Sequence, residues 1–301
     1  MKIKSLVVLL AICILLAAVF FTCLFITDKS ENVQTTSTEN VRKLIKQFSS
    51  DNIESIEFPI DGKIITLCKE NDEWIISNDG DTPINQTAVS SILSEITPLL
   101  AIREIGQYSY SDYGLDSPSL TVSVSVNNEN INLIFGNEIS RYNGYYFTLG
   151  DGNIYIVDEE LYNCFNIEMS ELVELPEISY DNIVGITLQT YNDINIEIDS
   201  QTSGNDELNL LSAVKSIEPS NFVDYGSENF EIYGLDKPAT ITIEYKNEQN
   251  IELAIGHGNN NNNLYFYVNN SRAVYLLQCS DSDILLNYID KINNDAENQI
   301  K

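Results

Sequence analysis

The chain reads as an α+β protein: an N-terminal transmembrane helix followed by two β-rich repeat modules, each an antiparallel sheet with one main helix. Three observations predict this. The stretch Tyr113-Gly114-Leu115-Asp116-Ser117-Pro118 returns as Tyr233-Gly234-Leu235-Asp236-Lys237-Pro238, an offset of 233 − 113 = 120. Apolar and polar residues alternate over several stretches of both copies, the period of half-buried strands. Ser5–Ile26 is an uncharged, apolar run.

From the amino terminus, Ser5–Ile26 would make a helix of roughly 33 Å at about 1.5 Å per residue, enough for a hydrocarbon core of about 30 Å. Lys2 and Lys4 precede it; Asp28 and Glu31 follow. The positive-inside rule puts the start in the cytoplasm and the bulk of the chain outside, as a single-pass membrane protein. A cleaved signal peptide would have a shorter apolar region ending in small residues; here the run ends Phe20-Phe21-Thr22-Cys23, so an uncleaved anchor is expected. The expected segments are 1–27 (cytoplasmic start and anchor), 28–40 (polar tether), 41–175 (first module), 176–292 (second module) and 293–301 (flexible tail).

In the first module a short helix is expected over Val41–Phe48. Strands follow at Ile53–Phe58, Ile64–Lys69 and Trp74–Ser77, the single Trp being a core anchor. Asn85–Thr97 is the clearest helix, with Val89, Ile92, Leu93 and Ile96 on one face and Pro98 as the stop. Its counterpart is Asp206–Glu218, stopped by Pro219. After the first turn stretch, Leu120, Val122, Val124 and Val126 alternate with polar residues, and Ile131, Leu133 and Phe135 make the next strand. Tyr145–Leu149 and Ile154–Val157 flank Gly150-Asp151-Gly152, a hairpin signal. A short helix over Glu159–Phe165 closes the module, and 170–179 is the joint.

The second module repeats Asn52–Phe58 as Asn182–Leu188 and lacks the Trp74 strand. The offset of 120 carries Phe135-Gly136 onto Ile255-Gly256 and Tyr145-Tyr146-Phe147 onto Tyr265-Phe266-Tyr267. Apolar residues fall one place later after Pro238 than after Pro118, so a bulge or register change is expected before Ile251. Asn259–Asn263 is a polar hairpin tip, and Asp283–Ile292 a closing helix.

The repeated stretch has a backbone logic. Gly114 and Gly234 supply φ > 0. Asp116 and Asp236 are expected to form Asx-turns. Pro118 and Pro238 start strands. Tyr113, Leu115, Tyr233 and Leu235 anchor the turns on the cores. The rival role for Asp116 and Asp236, as ligands or acids, is the weaker because both modules carry them as turn formers.

These residues resemble the bacterial family catalogued as domain of unknown function 4340, in two tandem copies over about residues 50–290. The Trp hairpin, the helix, Tyr-Gly-Leu-Asp-x-Pro, the strand ending in Gly and Ile154-Tyr155-Ile156-Val157-Asp158 carry the resemblance. It implies membrane-anchored extracytoplasmic proteins, some encoded beside ABC-type export or gliding-related transporter components. It supplies no catalytic residue.

Charge and reactive residues narrow the function. The net charge is −29, which repels nucleic acid phosphate and anionic headgroups. The one His, His257, has Asn137 as its repeat partner, and no triad motif stands near it. Cys13 and Cys23 fall in the apolar run; Cys68, Cys164 and Cys279 lack zinc-site spacing. Asn78-Asp79-Gly80-Asp81, Gly150-Asp151-Gly152-Asn153 and Ser280-Asp281-Ser282-Asp283 lack the full calcium-loop spacing. No catalytic, metal or cofactor-binding residue is assigned and no cofactor is expected. The expectation is a non-enzymatic binding protein outside the membrane, an accessory of an ABC-type transporter with an envelope or transporter partner. A carboxylate-dependent hydrolase and a passive envelope scaffold are the alternatives.

Overall fold

The computed structural model describes residues 42–199, 204–228, 230–257, 264–279 and 285–292. The expected anchor and tether, the polar tip at 259–263 and the tail lie outside the described residues. Leu44–Lys301 form one compact unit, which carries both repeats.

In the first repeat, β1 (Lys43–Lys46) precedes a meander of β2 (Ile53–Ile60), β3 (Lys63–Glu70) and β4 (Glu73–Ile76). Asp61 and Gly62, then Asn71 and Asp72, take positive φ at its two turns, as two-residue hairpin loops require. Helix α1 (Gln86–Ile96) buries Val89, Ile92 and Ile96, each worth about 1.5–3 kcal/mol of removed apolar surface. Then come β5 (Leu99–Ala101), β6 (Arg103–Gly106), β7 (Leu120–Val126), β8 (Glu129–Ile139), β9 (Gly144–Thr148) and β10 (Ile154–Asp158). The main sheet has the order β4-β3-β2-β7-β8-β9-β10-β6. Helix α1 thus connects one edge to the other. Short helices α2 (Glu159–Asn163) and α3 (Met169–Leu172) follow. The chain then ties back, with Asn85 N–H donating to Leu172 O at 2.8 Å and Glu174 N–H to Pro83 O at 3.0 Å.

The second repeat uses β11 (Ile183–Gln189), β12 (Asn195–Asp199), helix α4 (Asn205–Lys215), β13 (Ile217–Tyr225), β14 (Ala239–Tyr245), β15 (Ile251–Ile255), β16 (Leu264–Val268) and β17 (Ala273–Cys279). Helix α5 covers 285–292. The sheet order is β12-β11-β14-β15-β16-β17-β13, the first plan without a counterpart of β4 among the described residues. All pairings in the two large sheets are antiparallel. The same irregularity recurs in both, between Ile53 and Ser55 and between Ile183 and Gly185. Buried apolar residues of both repeats join in one connected core. The protein is therefore α+β, with two antiparallel sheets and few helices. Among the described residues no helix is long and apolar enough to cross a membrane, which says nothing of a β-barrel.

Three sequence expectations need correction, and the register change expected before Ile251 is found in the connection that leads to it. The helix expected at Val41–Phe48 is strand β1, which forms a separate two-stranded sheet with β5; a tertiary partner outweighs weak local propensity there. Pro219 does not stop α4. That helix ends at Lys215, where Ser216 donates its N–H and its Oγ hydroxyl to Ala213 O at 3.1 and 2.8 Å. Pro219 lies inside β13, an edge strand, where proline is tolerated.

The phase change after Pro238 arises before the strand. Ser119 separates Pro118 from Leu120, whereas Pro238 runs straight into Ala239. Leu120 pairs with Phe135 and Ala239 with Ile255, so the two strands present equivalent faces. The extra residue is absorbed in the hairpin connection, 125–130 in one copy and 244–250 in the other, and the β14–β15 ladder is free of bulges. Finally, Phe147 faces Phe135 as Phe266 faces Ile255, so Tyr145-Tyr146-Phe147 overlies Leu264-Tyr265-Phe266, one place earlier than the sequence offset.

Candidate functional site

The repeated stretch is a 3-10 turn closed by a left-handed glycine. Residues 110–113 form the turn and Gly114 caps it at φ 73°; in the second copy residues 230–233 precede Gly234 at φ 68°. Leu115 N–H donates to Tyr110 O at 3.1 Å and Leu235 N–H to Phe230 O at 2.9 Å. Leu115 and Leu235 are buried. Tyr113 meets Tyr146 edge-on with ring centres 4.7 Å apart, and Tyr233 meets Tyr265 at 5.2 Å. Pro118 and Pro238 stand just before β7 and β14.

The other repeated glycine explains the spacing. A Cβ on Gly136 would lie 2.3 Å from Tyr113 O, and one on Gly256 2.4 Å from Tyr233 O. In each copy the turn backbone therefore rests directly on a glycine, Gly136 within β8 and Gly256 just after β15. His257 N–H donates to Gly234 O at 3.1 Å. Sequence reasoning found both glycines but not their contact; the common separation of 22 places (136 − 114 and 256 − 234) is its signature. The Asx-turn account of Asp116 and Asp236 does not hold: both carboxylates are exposed and neither accepts a hydrogen bond among the described residues. Glycine and backbone bonds alone set the turn.

The second feature joins the two repeats. Asp79, from the Asn78-Asp79-Gly80-Asp81 loop after β4, is 4% exposed. Its Oδ2 accepts from the Thr82 hydroxyl at 2.7 Å and from Arg272 N–H at 3.1 Å. The Thr82 and Ser271 hydroxyls are 2.7 Å apart, and Asn270 N–H donates to Asp81 Oδ2 at 3.3 Å. Lys63 Nζ donates to Tyr225 O and lies 3.8 Å from the Asp224 carboxylate. The Arg272 guanidinium sits over the Tyr225 ring at 5.4 Å. Oδ1 of Asp79 and the hydroxyls of Tyr225 and Tyr275 are buried there without a well-formed hydrogen bond among the described residues. Burial, then the Asp79 carboxylate, raises the Tyr225 hydroxyl pKa. Burial raises that of Tyr275, and the neighbouring Ser271 hydroxyl opposes the shift. Removing any one partner would strand another polar group, which is what makes such a cluster a strong clamp.

Two concave features accompany this seam. A cavity of about 200 Å³ between the repeats has Ile60, Ile65, Met169 and Phe222 as apolar walls and Lys63, Asp61 and Asp224 at its polar side. A groove of about 520 Å³ runs beside α1 in the first repeat, within the size range of ligand sites. Ala88, Ile92, Ile167 and Val173 supply its apolar lining, with Thr87, Ser91, Ser170 and Glu171 as polar groups.

His257 is exposed, and its ring stands edge-on to Tyr191 at 5.9 Å. Cys68 and Cys164 are free thiols. Burial raises the Cys68 thiol and pushes that of Cys164 up to about 12, which keeps both in the less reactive protonated form near neutral pH. Among the described residues no three His, Cys, Asp or Glu side chains are grouped to hold a metal ion.

The profile of the family described as "Domain of unknown function (DUF4340)" matches residues 74–209 and again 205–297. The chain belongs to this family. Both DUF4340 matches are out of step with the sheets: the first starts at Trp74, beyond β2 and β3, and runs through β11 and β12 of the second sheet. No curated protein and no solved structure is matched.

Proposed function

We propose that this protein is a membrane-anchored, extracytoplasmic, non-enzymatic interaction protein, serving as an accessory to an ABC-type transporter. The observation that carries the reading is the seam. Its cross-repeat hydrogen bonds make two duplicated sheets into one clamped body, a broad platform rather than two independent domains. The recurring residues support it, since Gly114, Gly136, Gly234 and Gly256 serve backbone approach and the paired tyrosines serve packing. The groove beside α1 supplies a concave surface on that platform. Uncharged Ser5–Ile26, with Lys2 and Lys4 before it and acids after it, supports anchoring with the bulk of the chain outside.

Two measurements test the proposal. A reporter active only in the cytoplasm, fused after Lys301, is expected to stay silent, while a periplasm-type phosphatase fusion is active; the reverse would overturn the orientation. A photo-crosslinking residue at Ser91, in the groove, is expected to give a discrete adduct with a membrane protein in cells. A clean absence of adducts from Ser91 and Thr87 would overturn the groove as a partner surface.

A further inference from the structure

The repeats differ in one chemically pointed way. Between Lys69 and Lys215 the chain has only two basic residues, Arg103 and Arg141. The fold brings both to the same tyrosine. Arg103 Nη1 donates to the Tyr142 hydroxyl at 3.4 Å, and the Arg141 guanidinium lies 5.9 Å from the Tyr142 ring centre. Both arginines are exposed, and neither forms an ion pair among the described residues, although the chain holds 45 carboxylates. Like charges sharing one ring repel, and an anion between them would relieve that repulsion. The pair is specific to the first copy. Arg103 faces Ile156 where Asn221 faces Leu276, and the segment corresponding to Arg141 is the all-Asn run 259–263. The second sheet repeats the plan of the first without such a pair.

Aromatic surface adjoins the pair. Tyr146 and Arg103 flank Ile156 in register. Tyr146 contacts Tyr113, and Tyr113 lies 6.3 Å from Tyr108, which is 62% exposed. Arg and Tyr are the types that dominate binding energy at interfaces, and a guanidinium fork fits a carboxylate with two hydrogen bonds.

We propose that this Arg103–Tyr142–Arg141 corner of the first repeat binds an acidic segment of a partner protein, whose carboxylates the two guanidiniums take. The proposal rests on the interaction role above and names the chemistry of the partner. A narrow peptide is favoured over an anionic bilayer because charges are screened beyond about 8 Å at physiological salt. A peptide meets only the local positive spot, whereas a flat membrane surface also meets the surrounding acidic chain.

The test uses full-length protein in a nonionic detergent and a fluorescent deca-glutamate peptide, with binding read by anisotropy. Saturable binding that weakens with added salt is expected. Arg103→Gln/Arg141→Gln should weaken it about tenfold or more, as expected for lost charge-assisted hydrogen bonds. Each single variant should fall between, and Lys215→Gln should bind as the parent does. Melting of the variants is followed in parallel; if the double variant melts early, the two single variants decide. No binding by the parent, or equal binding by the arginine variants, would overturn the proposal. So would displacement of the peptide by short-chain phosphatidylglycerol at lower concentration than by unlabelled peptide, which would assign the corner to lipid. None of these outcomes depends on membrane orientation, so failure here is distinct from failure of the topology.

Discussion

A Cβ on Gly114, Gly136, Gly234 or Gly256 would overlap a neighbour, a side chain at Gly114 and backbone at the other three. Gly114 and Gly234 combine positive φ with close neighbours, a flexible Asn137 amide for the first and the His257 backbone oxygen at 2.2 Å for the second. A left-handed residue other than Gly costs about 1–2 kcal/mol. Gly114→Ala should therefore cost about that much, because Asn137 can swing aside. Gly234→Ala should cost more, because a backbone carbonyl must move. Thermal melting checks the order, at about 2–4 °C per kcal/mol for a body of this size. Asp116→Asn and Asp236→Asn, at exposed and unpartnered carboxylates, should stay within about 0.5 kcal/mol of the parent. If the aspartate variants melt earlier than the glycine variants, the account of the turn is wrong.

Among the elements, the two main helices begin differently. Asn85 Oδ1 accepts from Thr87 and Ala88 N–H at 3.0 and 3.1 Å, whereas α4 starts at Gly204 without a side-chain cap. The first residue of α1 also guards a sheet edge: Gln86 accepts from Trp74 N–H at 3.1 Å and donates to Trp74 O at 2.8 Å. At the edge strand of the other sheet, Lys63 of the first repeat reaches Tyr225 O on β13. Bonds of this kind occupy edge groups that would otherwise recruit another strand. Asn85→Ala should cost about 1 kcal/mol, and Asn85→Asp should restore most of it, since aspartate caps equally well. Equal melting of Asn85→Ala and the parent would show that the tertiary contacts of α1 hold its first turn without the cap.

For the molecule as a whole, the Asp79 clamp decides whether the repeats act together. Asp79→Ala strands Arg272 N–H and leaves the Thr82 hydroxyl with Ser271 as its remaining partner, and should cost about 1–3 kcal/mol. Ser271→Ala removes one of the two partners of the Thr82 hydroxyl and an acceptor for Ala273 N–H at 3.0 Å. Because both act on one network, the double variant should lose less than the two single losses together, with a coupling of about 0.5–3 kcal/mol. Denaturant melts of the four proteins measure it. Simple additivity would show that the two residues, although joined through Thr82, do not work as one clamp.

Much of the fold is legible locally. The alternation from Leu120 to Val126, the i, i+3, i+4, i+7 spacing of α1 and the duplicated Tyr-Gly-Leu-Asp stretch are short-range patterns, and local backbone preferences suffice to read them. The sequence by itself determined the two antiparallel repeats and the glycine-capped turns. Only the tertiary structure decided that Pro219 sits inside an edge strand, that Lys43–Lys46 form a strand, and that the Asp116 carboxylate accepts no hydrogen bond among the described residues. The seam was hidden for the same reason. Thr82 and Ser271 are 189 places apart, and Asn78-Asp79-Gly80-Asp81 looks like any polar turn until the segment 270–272 of the second repeat meets Asp79 and Asp81. Arg103 and Arg141 become a pair only when β10 pairs with β9 on one side and β6 on the other. Contacts of such long range leave no period in one sequence; they follow from burial of the common core, which fixes where the loops meet.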